Sequence, residues 1–209
     1  MKELKKFFRH IVCSKLDLSN SVIICNNCIG GFLYSDFSQE FLSPTINLQI
    51  EAEGFLKLCA NLEEYLGEEL IEDKNPENEK IFKKWNTHPF PIAHLKDIKI
   101  FFQHYNSFPE AKSCWEKRSA RMLEKIRNGA QVNIIMIQKD FGGGHYKLFK
   151  ELPYENKIYM YQLSPKEFVQ SNLPDSYVLK IPEGKQWFDY SVPPFFRYYD
   201  QFNFKKWLK

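Results

Sequence analysis

The hydrophobic residues of this chain occur in short continuous runs separated by stretches with helical spacing. Val22, Ile23 and Ile24 form one continuous apolar run, which is typical of a strand buried on both faces. Further strands are predicted at 45–50, 95–103, 132–137, 157–161 and 177–181. Because helical patterns separate these runs, the sequence predicts a three-layer α/β/α fold with a mostly parallel or mixed central sheet, Rossmann-like in type.

The helical patterns complete this plan. Residues 2–16 predict an amphipathic helix with a basic polar face, and 51–70 carry apolar residues at three- and four-residue steps. A short helix is expected to begin near Ile29. Ser107, with Glu110 three residues later, is typical of a helix start and predicts a helix that runs to about Arg127. We therefore predict an N-terminal helix within 1–20 and one α/β domain over 21–209.

Composition narrows the class of protein. The chain has 209 residues, of which 44% are hydrophobic, enough for one substantial core. Its 29 basic and 26 acidic side chains give a net charge of +3 without a dense basic tract, so we expect no nucleic-acid partner. Five irregularly spaced cysteines do not suggest a disulfide framework. With no export signal or membrane-spanning run, we expect a cytoplasmic protein.

The segment 26–31 looks like part of a binding site. It follows the first strand with two amides, a thiol and a glycine pair, Asn26, Asn27, Cys28, Gly30 and Gly31. Ligands of open α/β sheets bind beyond the carboxyl ends of the strands. The sequence therefore predicts a pocket with this segment as one wall and with 43–47 and 97–105 as the others.

Cys25 and Cys28 form a Cys-x-x-Cys pair that admits three interpretations. A zinc site needs further sulfur or nitrogen ligands, and the chain lacks a second such pair, so no metal is predicted. A redox pair needs two exposed thiols, whereas Cys25 continues an apolar strand and is expected in the core. Cys28 lies near a helix start, which favours the thiolate; it is a candidate nucleophile with His104 as base, or a packing residue. Asp97 is a second candidate base, or a structural residue of its strand.

The run Gly142-Gly143-Gly144 fits neither the Walker pattern nor the dinucleotide fingerprint. It predicts a flexible turn, and no cofactor is expected. His145 remains open as a site residue supplied by that loop.

Several ordered segments together resemble a known family. They are Asn26-Asn27-Cys28-Ile29-Gly30-Gly31, Ser43-Pro44-Thr45-Ile46-Asn47-Leu48, Asp97-Ile98, His104-Tyr105, Ser107-Phe108, Glu110-Ala111, Trp115, Arg118 and Arg121. In these segments the chain resembles the domain-of-unknown-function 1919 family, which is associated with exopolysaccharide, capsule and lipopolysaccharide gene clusters. The resemblance implies an α/β protein of bacterial surface-glycan assembly.

Two enzymatic hypotheses follow from the resemblance and the residues. In the first, a transferase moves an acyl or glycosyl group from an activated donor onto a glycan precursor, with His104 or Asp97 as general base. The predicted substrate-binding residues are Asn26, Asn27, Gly30, Gly31, Ser43, Thr45, Asn47, Tyr105 and Arg118, with Arg118 or Arg121 contacting a donor phosphate. In the second, Cys28 and His104 carry out thioester or ester chemistry.

A non-catalytic hypothesis remains beside them. The basic helix at 2–16 and the aromatic, basic carboxyl end could rest on an anionic membrane surface, in a glycan-binding or assembly partner. The alternative is that both segments pack on the domain as terminal helices.

Overall fold

The computed structural model describes residues 7–9, 16–162, 173–191 and 196–209. Its strands are β1 (Ser21–Cys25), β2 (Gln49–Ile50), β3 (Leu70–Glu72), β4 (Ile92–Leu95), β5 (Ile98–Phe101), β6 (Gln131–Gln138), β7 (Asn156–Gln162) and β8 (Ser176–Leu179). Its helices are α1 (Ile29–Asp36), α2 (Ala52–Ala60), α3 (Leu62–Gly67), α4 (Asn78–Trp85), α5 (Phe108–Arg127), α6 (Gly143–Glu151) and α7 (Phe204–Trp207), with a 3₁₀ turn at Tyr198–Gln201.

The strands form two sheets of different kinds. The first is parallel, in the order β1-β6-β7-β8, and the second is antiparallel, in the order β2-β5-β4-β3. The Ile50 backbone N–H donates to the Asn26 carbonyl at 2.9 Å, which joins the second sheet to the end of β1. The α/β class with a parallel sheet is thus confirmed, whereas the separate antiparallel sheet was not predicted.

Helices cover both faces of the parallel sheet. Alternate residues of β1 point to opposite faces, so Val22 and Ile24 belong to one core cluster and Ile23 and Cys25 to another. The first cluster packs against α2, α5 and α6, and the second packs against α1 and the carboxyl end of the chain. All of these β1 residues are fully buried, as the continuous apolar run predicts.

Several predicted elements differ in detail. The strand predicted at 95–103 is interrupted, because Lys96 adopts a positive φ of 57° and turns the chain. Leu95 ends β4, and Ile98–Phe101 form β5, so the two strands make a hairpin. The helix predicted at 51–70 is divided into α2 and α3 at Asn61, whose φ of −135° is not helical. The strand predicted at 45–50 is confined to β2, since 44–47 form a turn.

The helix predicted to start at Ser107 and to run to about Arg127 is confirmed as α5. It spans Phe108–Arg127, and the Ser107 hydroxyl accepts from the Glu110 backbone N–H at 3.4 Å. Most of the predicted N-terminal helix, in contrast, falls outside the described residues, although 7–9 are helical.

Candidate functional site

The carboxyl end of β1 is held in place by Asn26. Its side-chain amide donates to the Ile137 carbonyl at 3.0 Å and accepts from the Ile137 N–H at 2.9 Å, so it extends the pairing of β1 with β6 by one residue. Its own carbonyl accepts from Ile50. Asn26 is buried. It therefore joins three strands, and this bonding leaves it poorly placed to bind a sugar hydroxyl.

Asn27 and Cys28 lead into α1. The Asn27 side-chain oxygen accepts from the Ile29 N–H at 3.1 Å, and the Cys28 thiol lies 3.8 Å from the Leu48 carbonyl. Burial, with a smaller effect of Cys25, raises the pKa of the Cys28 thiol to about 12. Desolvation thus outweighs the favourable helix start, and the thiol stays protonated at neutral pH. This environment does not favour Cys28 as a nucleophile.

Ser43 and Thr45 form a buried hydrogen-bond network with Cys25. The Cys25 N–H donates to the Thr45 hydroxyl at 3.1 Å, and the two hydroxyls lie 2.9 Å apart. The Cys25 thiol donates to the Asn27 carbonyl at 2.9 Å. Both hydroxyl residues are fully buried. The network anchors the 43–47 turn against β1, away from solvent.

The glycine pair allows close packing within the protein. A Cβ atom on Gly30 would lie 2.6 Å from the Cys25 sulfur, and one on Gly31 would lie 2.8 Å from the Asn47 side-chain oxygen. Distances this short are forbidden for a real side chain. The structure thus explains these glycines by the approach of α1 to β1 and to the 43–47 turn.

The predicted wall at 97–105 is divided between two places. Asp97 lies in the β4–β5 turn, before β5, and is ion-paired with Lys57 at 2.6 Å. His104 follows β5, so the four strand residues alone separate the two by roughly 13 Å. The hydrogen bond of Lys57, with that of Tyr65, lowers the pKa of Asp97 to about 2. Asp97 is therefore a weak base and lies at the other end of the strand.

His104 lies nearer to the end of β1. Gln103 donates to the side chain of Gln49 at 3.1 Å, beside the Leu48 carbonyl that Cys28 contacts. Partial burial lowers the pKa of His104, which keeps the ring neutral at pH 7. Among the described hydrogen bonds, however, none joins Cys28 to His104.

Arg118 and Tyr105 connect α5 to the loop before the 43–47 turn. Arg118 donates to the Tyr105 hydroxyl at 2.7 Å and lies over the Phe41 ring at 5.4 Å. The Tyr105 hydroxyl in turn lies 3.3 Å from the Ile46 carbonyl. Arg121 donates to the Phe41 carbonyl at 3.0 Å. These contacts give both arginines a structural role at this position.

The structure reveals a polar chain at the carboxyl edge of β6 and β7. The Gly142 N–H donates to the Tyr159 hydroxyl at 3.2 Å, and that hydroxyl donates to the Gln138 side-chain oxygen. The Gln138 nitrogen lies 3.2 Å from Nδ1 of His145. The Gln138 oxygen accepts the hydrogen bond of Tyr159, and the amide nitrogen can only donate, so Nδ1 of His145 is an acceptor. The neutral imidazole therefore carries its proton on Nε2.

This chain of contacts lies next to the end of β1. Asn26 binds the backbone of Ile137, and Gln138 is the following residue. Phe141, which is 39% exposed, lies beside this hydrogen-bonded chain, and its ring contacts the Tyr161 ring at a centroid distance of 4.9 Å. The carboxyl edge of adjacent parallel strands thus brings together the 26–28 segment and His145.

Sequence reasoning left His145 open and missed Gln138 and Tyr159. The available signal was the position of Gln138 at the end of a predicted buried strand, four residues before the glycine run. Tyr159 offered no signal, because a tyrosine within an apolar run is typical of a core. Only the pairing of β6 with β7 brings its hydroxyl to the Gln138 side chain.

The described residues contain neither a grouped set of metal ligands nor a membrane-spanning helix. Within 7–9, 16–162, 173–191 and 196–209, no three His, Cys, Asp or Glu residues are grouped so that they could hold a metal ion. In the same ranges no helix has both the length and the apolar character needed to cross a bilayer.

The parallel sheet, with polar side chains at its carboxyl edge, defines an open α/β protein. Residues 2–209 match the family model described as "Domain of unknown function (DUF1919)", and the chain belongs to that family. It is also similar to an uncharacterized protein of Haemophilus influenzae, at 29% identity over 212 residues, which covers 99% of this chain and 93% of the relative.

Proposed function

We propose that this protein is a transferase of bacterial surface-glycan assembly, which moves an acyl or glycosyl group onto a glycan precursor at the carboxyl edge of the parallel sheet. The observation that carries the proposal is the hydrogen-bonded chain from Tyr159 through Gln138 to His145. A chain of this kind orients an imidazole and selects its tautomer, as general acid–base catalysis requires. The family resemblance supplies the glycan context.

In this proposal His145 acts on the donor. Its Nε2–H donates a hydrogen bond to the donor oxygen on which negative charge develops in the transition state. Gln138 and Tyr159 do not touch the substrate; they hold the ring in that tautomer. Gln138 is half-buried and Tyr159 is fully buried, so the surrounding protein holds both side chains rigidly.

His104 is the proposed general base for the acceptor. The acceptor hydroxyl attacks the acyl or anomeric carbon, a new C–O bond forms as the bond to the leaving group breaks, and the hydroxyl proton passes to the neutral imidazole. The lowered pKa of His104 supports this role, because its ring is unprotonated at pH 7. Asp97, with a pKa of about 2, is the poorer candidate.

The ester-handling alternative, which uses Cys28 as a nucleophile, has less support. The Cys28 thiol has a pKa of about 12 and donates to the Leu48 carbonyl. A nucleophilic cysteine requires the opposite environment, in which neighbouring positive charge or an adjacent base favours the thiolate.

The test compares surface glycan from cells that carry the parent protein, no protein, or single variants. We expect mass spectrometry to find the same missing acyl or sugar group in cells without the protein and in cells with His145→Gln. The control is His88→Gln, which changes an exposed histidine in the loop between α4 and β4. Cys28→Ser is expected to retain the modification.

Two results would contradict the proposal. Unaltered glycan with both His145→Gln and His104→Gln, at parental protein levels, would favour the non-catalytic assembly partner. Loss of the modification in Cys28→Ser alone, with the fold intact, would favour the ester-handling enzyme.

A further inference from the structure

Positive charge is concentrated in two segments, 1–16 and the residues after β8, 180–209. Together they contain 11 basic and 4 acidic side chains, whereas 17–179 contain 18 basic and 22 acidic ones. The two segments thus have a net charge of +7, and the rest of the chain has a net charge of −4. This separation of charge predicts that a negatively charged partner is attracted to the two segments and repelled by the remainder.

The described parts of the two segments meet at Arg9. Its guanidinium is ion-paired with Asp200 at 2.5 Å and donates to the Tyr199 hydroxyl at 2.8 Å. Arg9 also lines a hollow of about 390 Å³ together with Phe196 and Lys205. The segments that carry the excess positive charge are therefore joined on one side of the protein.

Exposed aromatic side chains are concentrated in the same two segments. Seven large hydrophobic side chains are exposed among the described residues, and the four that belong to these segments are Phe7, Phe8, Phe188 and Phe196. Because these segments supply only about a sixth of the described residues, the exposed apolar side chains are not evenly distributed.

These aromatic side chains lie near the junction at Arg9. The first two directly precede Arg9 in the chain, and Phe196 lines the same hollow. Phe188 packs against Trp187 at a centroid distance of 5.0 Å, and the Trp187 ring lies 6.1 Å from that of Tyr199. This region, the terminal surface, comprises the exposed side chains of Phe7, Phe8, Phe188, Phe196, Lys206 and Lys209.

Exposed aromatic rings beside basic side chains fit the surface of an anionic membrane. Phenylalanine rings enter the boundary between headgroups and acyl chains, and lysines are attracted to anionic headgroups. A soluble anionic polysaccharide would contact the lysines but would leave the rings exposed to water. The combination of charge and apolar side chains therefore favours a lipid surface as the partner.

We propose that the terminal surface docks this protein on an anionic membrane, with the phenylalanine rings at the level of the headgroups and the lysines in contact with them. The contact is peripheral. It does not rest on the transferase proposal, because neither His104 nor His145 belongs to the terminal surface.

Sedimentation of the full-length protein with lipid vesicles tests the proposal. Vesicles of phosphatidylethanolamine and phosphatidylglycerol supply an anionic surface, and vesicles of phosphatidylcholine supply a neutral one. We expect binding to the anionic vesicles, at least about tenfold weaker binding to the neutral ones, and loss of binding in about 0.5 M salt. Equal binding to both kinds of vesicle, or no binding to either, would overturn the proposal.

The aromatic contribution is tested with Phe7→Ser combined with Phe188→Ser, which should weaken binding to anionic vesicles at least about tenfold. The matched control is Ile71→Ser combined with Leu148→Ser, since Ile71 is 60% exposed and Phe7 is 59% exposed. Urea unfolding confirms that each variant is folded. An equal loss of binding with both pairs would show that the terminal surface is not the docking site.

The basic contribution is tested with Lys206→Gln combined with Lys209→Gln. Binding to anionic vesicles should weaken about thirtyfold, the effect of two lysines at an anionic surface. Lys83→Gln combined with Lys84→Gln is the control, because these are neighbouring exposed lysines of α4. Unchanged binding with the first pair, or an equal loss with the control pair, would contradict the proposal.

Two further measurements separate the proposal from its alternatives. Heparin supplies a soluble polyanion, and binding of heparin without binding to anionic vesicles would assign the charged segments to a soluble partner and overturn the membrane contact. His145→Gln should bind vesicles as the parent does, so that loss of glycan modification and loss of membrane binding are distinguishable.

Discussion

Arg9 and Asp36 form a buried ion pair across 27 residues of sequence, with Nε donating to Oδ1 at 2.9 Å. The Tyr199 hydroxyl completes the arrangement, since it donates to Asp36 at 2.7 Å and accepts from Arg9 at 2.8 Å. Asp200 is a second acceptor for the guanidinium. The described part of the N-terminal segment is thereby attached to α1 and to the carboxyl end of the chain.

Asp36→Asn should destabilise the protein by about 3 kcal/mol, because it breaks a buried ion pair. Arg9 is 4% exposed, and loss of the Asp36 charge leaves its buried guanidinium with Asp200 as the remaining acidic partner, so the charge is only partly compensated. Urea unfolding measures the effect, and Ser35→Ala, an exposed neighbour on α1, should stay within about 0.5 kcal/mol of the parent. A loss below about 1 kcal/mol for Asp36→Asn would show that the pair contributes little.

Gly30→Ala should cost about 1–3 kcal/mol, because the new methyl group would meet the Cys25 sulfur at 2.6 Å. The cost should fall by at least about 1 kcal/mol in a Cys25→Ala background, which removes that sulfur. Gly144→Ala is the control, since a Cβ there meets nothing within 4 Å. Equal costs of Gly30→Ala in both backgrounds would exclude the steric explanation.

The lowered pKa of Asp73 predicts that the folded protein loses stability in acid. Burial raises the pKa of Asp73. Hydrogen bonds from the Lys99 side chain, the Asn75 backbone and the Asn78 side chain outweigh the effect of burial and lower the pKa to about 2. An unfolded aspartate titrates near ~3.9, so the stabilisation is present above that pH and is lost as the pH falls toward 2. The stability difference between the parent and Asp73→Asn should therefore shrink between pH 5 and pH 2.

Urea midpoints across this range measure the difference. Asp140→Asn changes an exposed carboxylate and serves as the control. A difference between the parent and Asp73→Asn that stays constant with pH would contradict the assigned ion pair with Lys99.

Cys28 should resist alkylation in the folded protein. With a pKa of about 12, only about one thiol in ten thousand is ionised at pH 8, whereas an unfolded cysteine titrates near ~8.5. Peptide mass spectrometry after brief iodoacetamide treatment should find Cys28 modified in guanidinium and unmodified in buffer. Rapid labelling in buffer would restore the nucleophile hypothesis.

The tautomer of His145 tests the proposed site without an activity assay. In the parent, ¹⁵N chemical shifts at a pH where the ring is neutral should assign the proton to Nε2. Gln138→Met removes the donor to Nδ1 and should produce a mixture of tautomers, whereas the exposed Gln186→Met should not. A parental ring with its proton on Nδ1 would refute the hydrogen-bonded chain.

Much of the secondary structure was predictable because its signals are local. The apolar run of β1 and the Ser107 start of α5 each depend on a few neighbouring residues, and both predictions are confirmed. The β4–β5 hairpin was missed because its turn, Lys96-Asp97, lacks the Asn-Gly or Asp-Gly pair that usually marks one.

The predicted pocket shows a second limit of prediction from the sequence. The order of residues along the chain shows where polar side chains are concentrated, but residue type does not reveal which partner each side chain contacts. Ser43, Thr45 and Asn26 find theirs inside the protein, and Asp97 pairs with Lys57 at the far end of β5.

By itself, the sequence determined the α/β class and the family, because local periodicity and ordered motifs are written along the chain. Only the tertiary structure decided which residues share the candidate site. Gln138, Tyr159 and His145 meet because β6 and β7 pair in parallel and α6 follows at their carboxyl edge. Such contacts depend on strand register and burial, which are properties of the packed sheet rather than of any short segment.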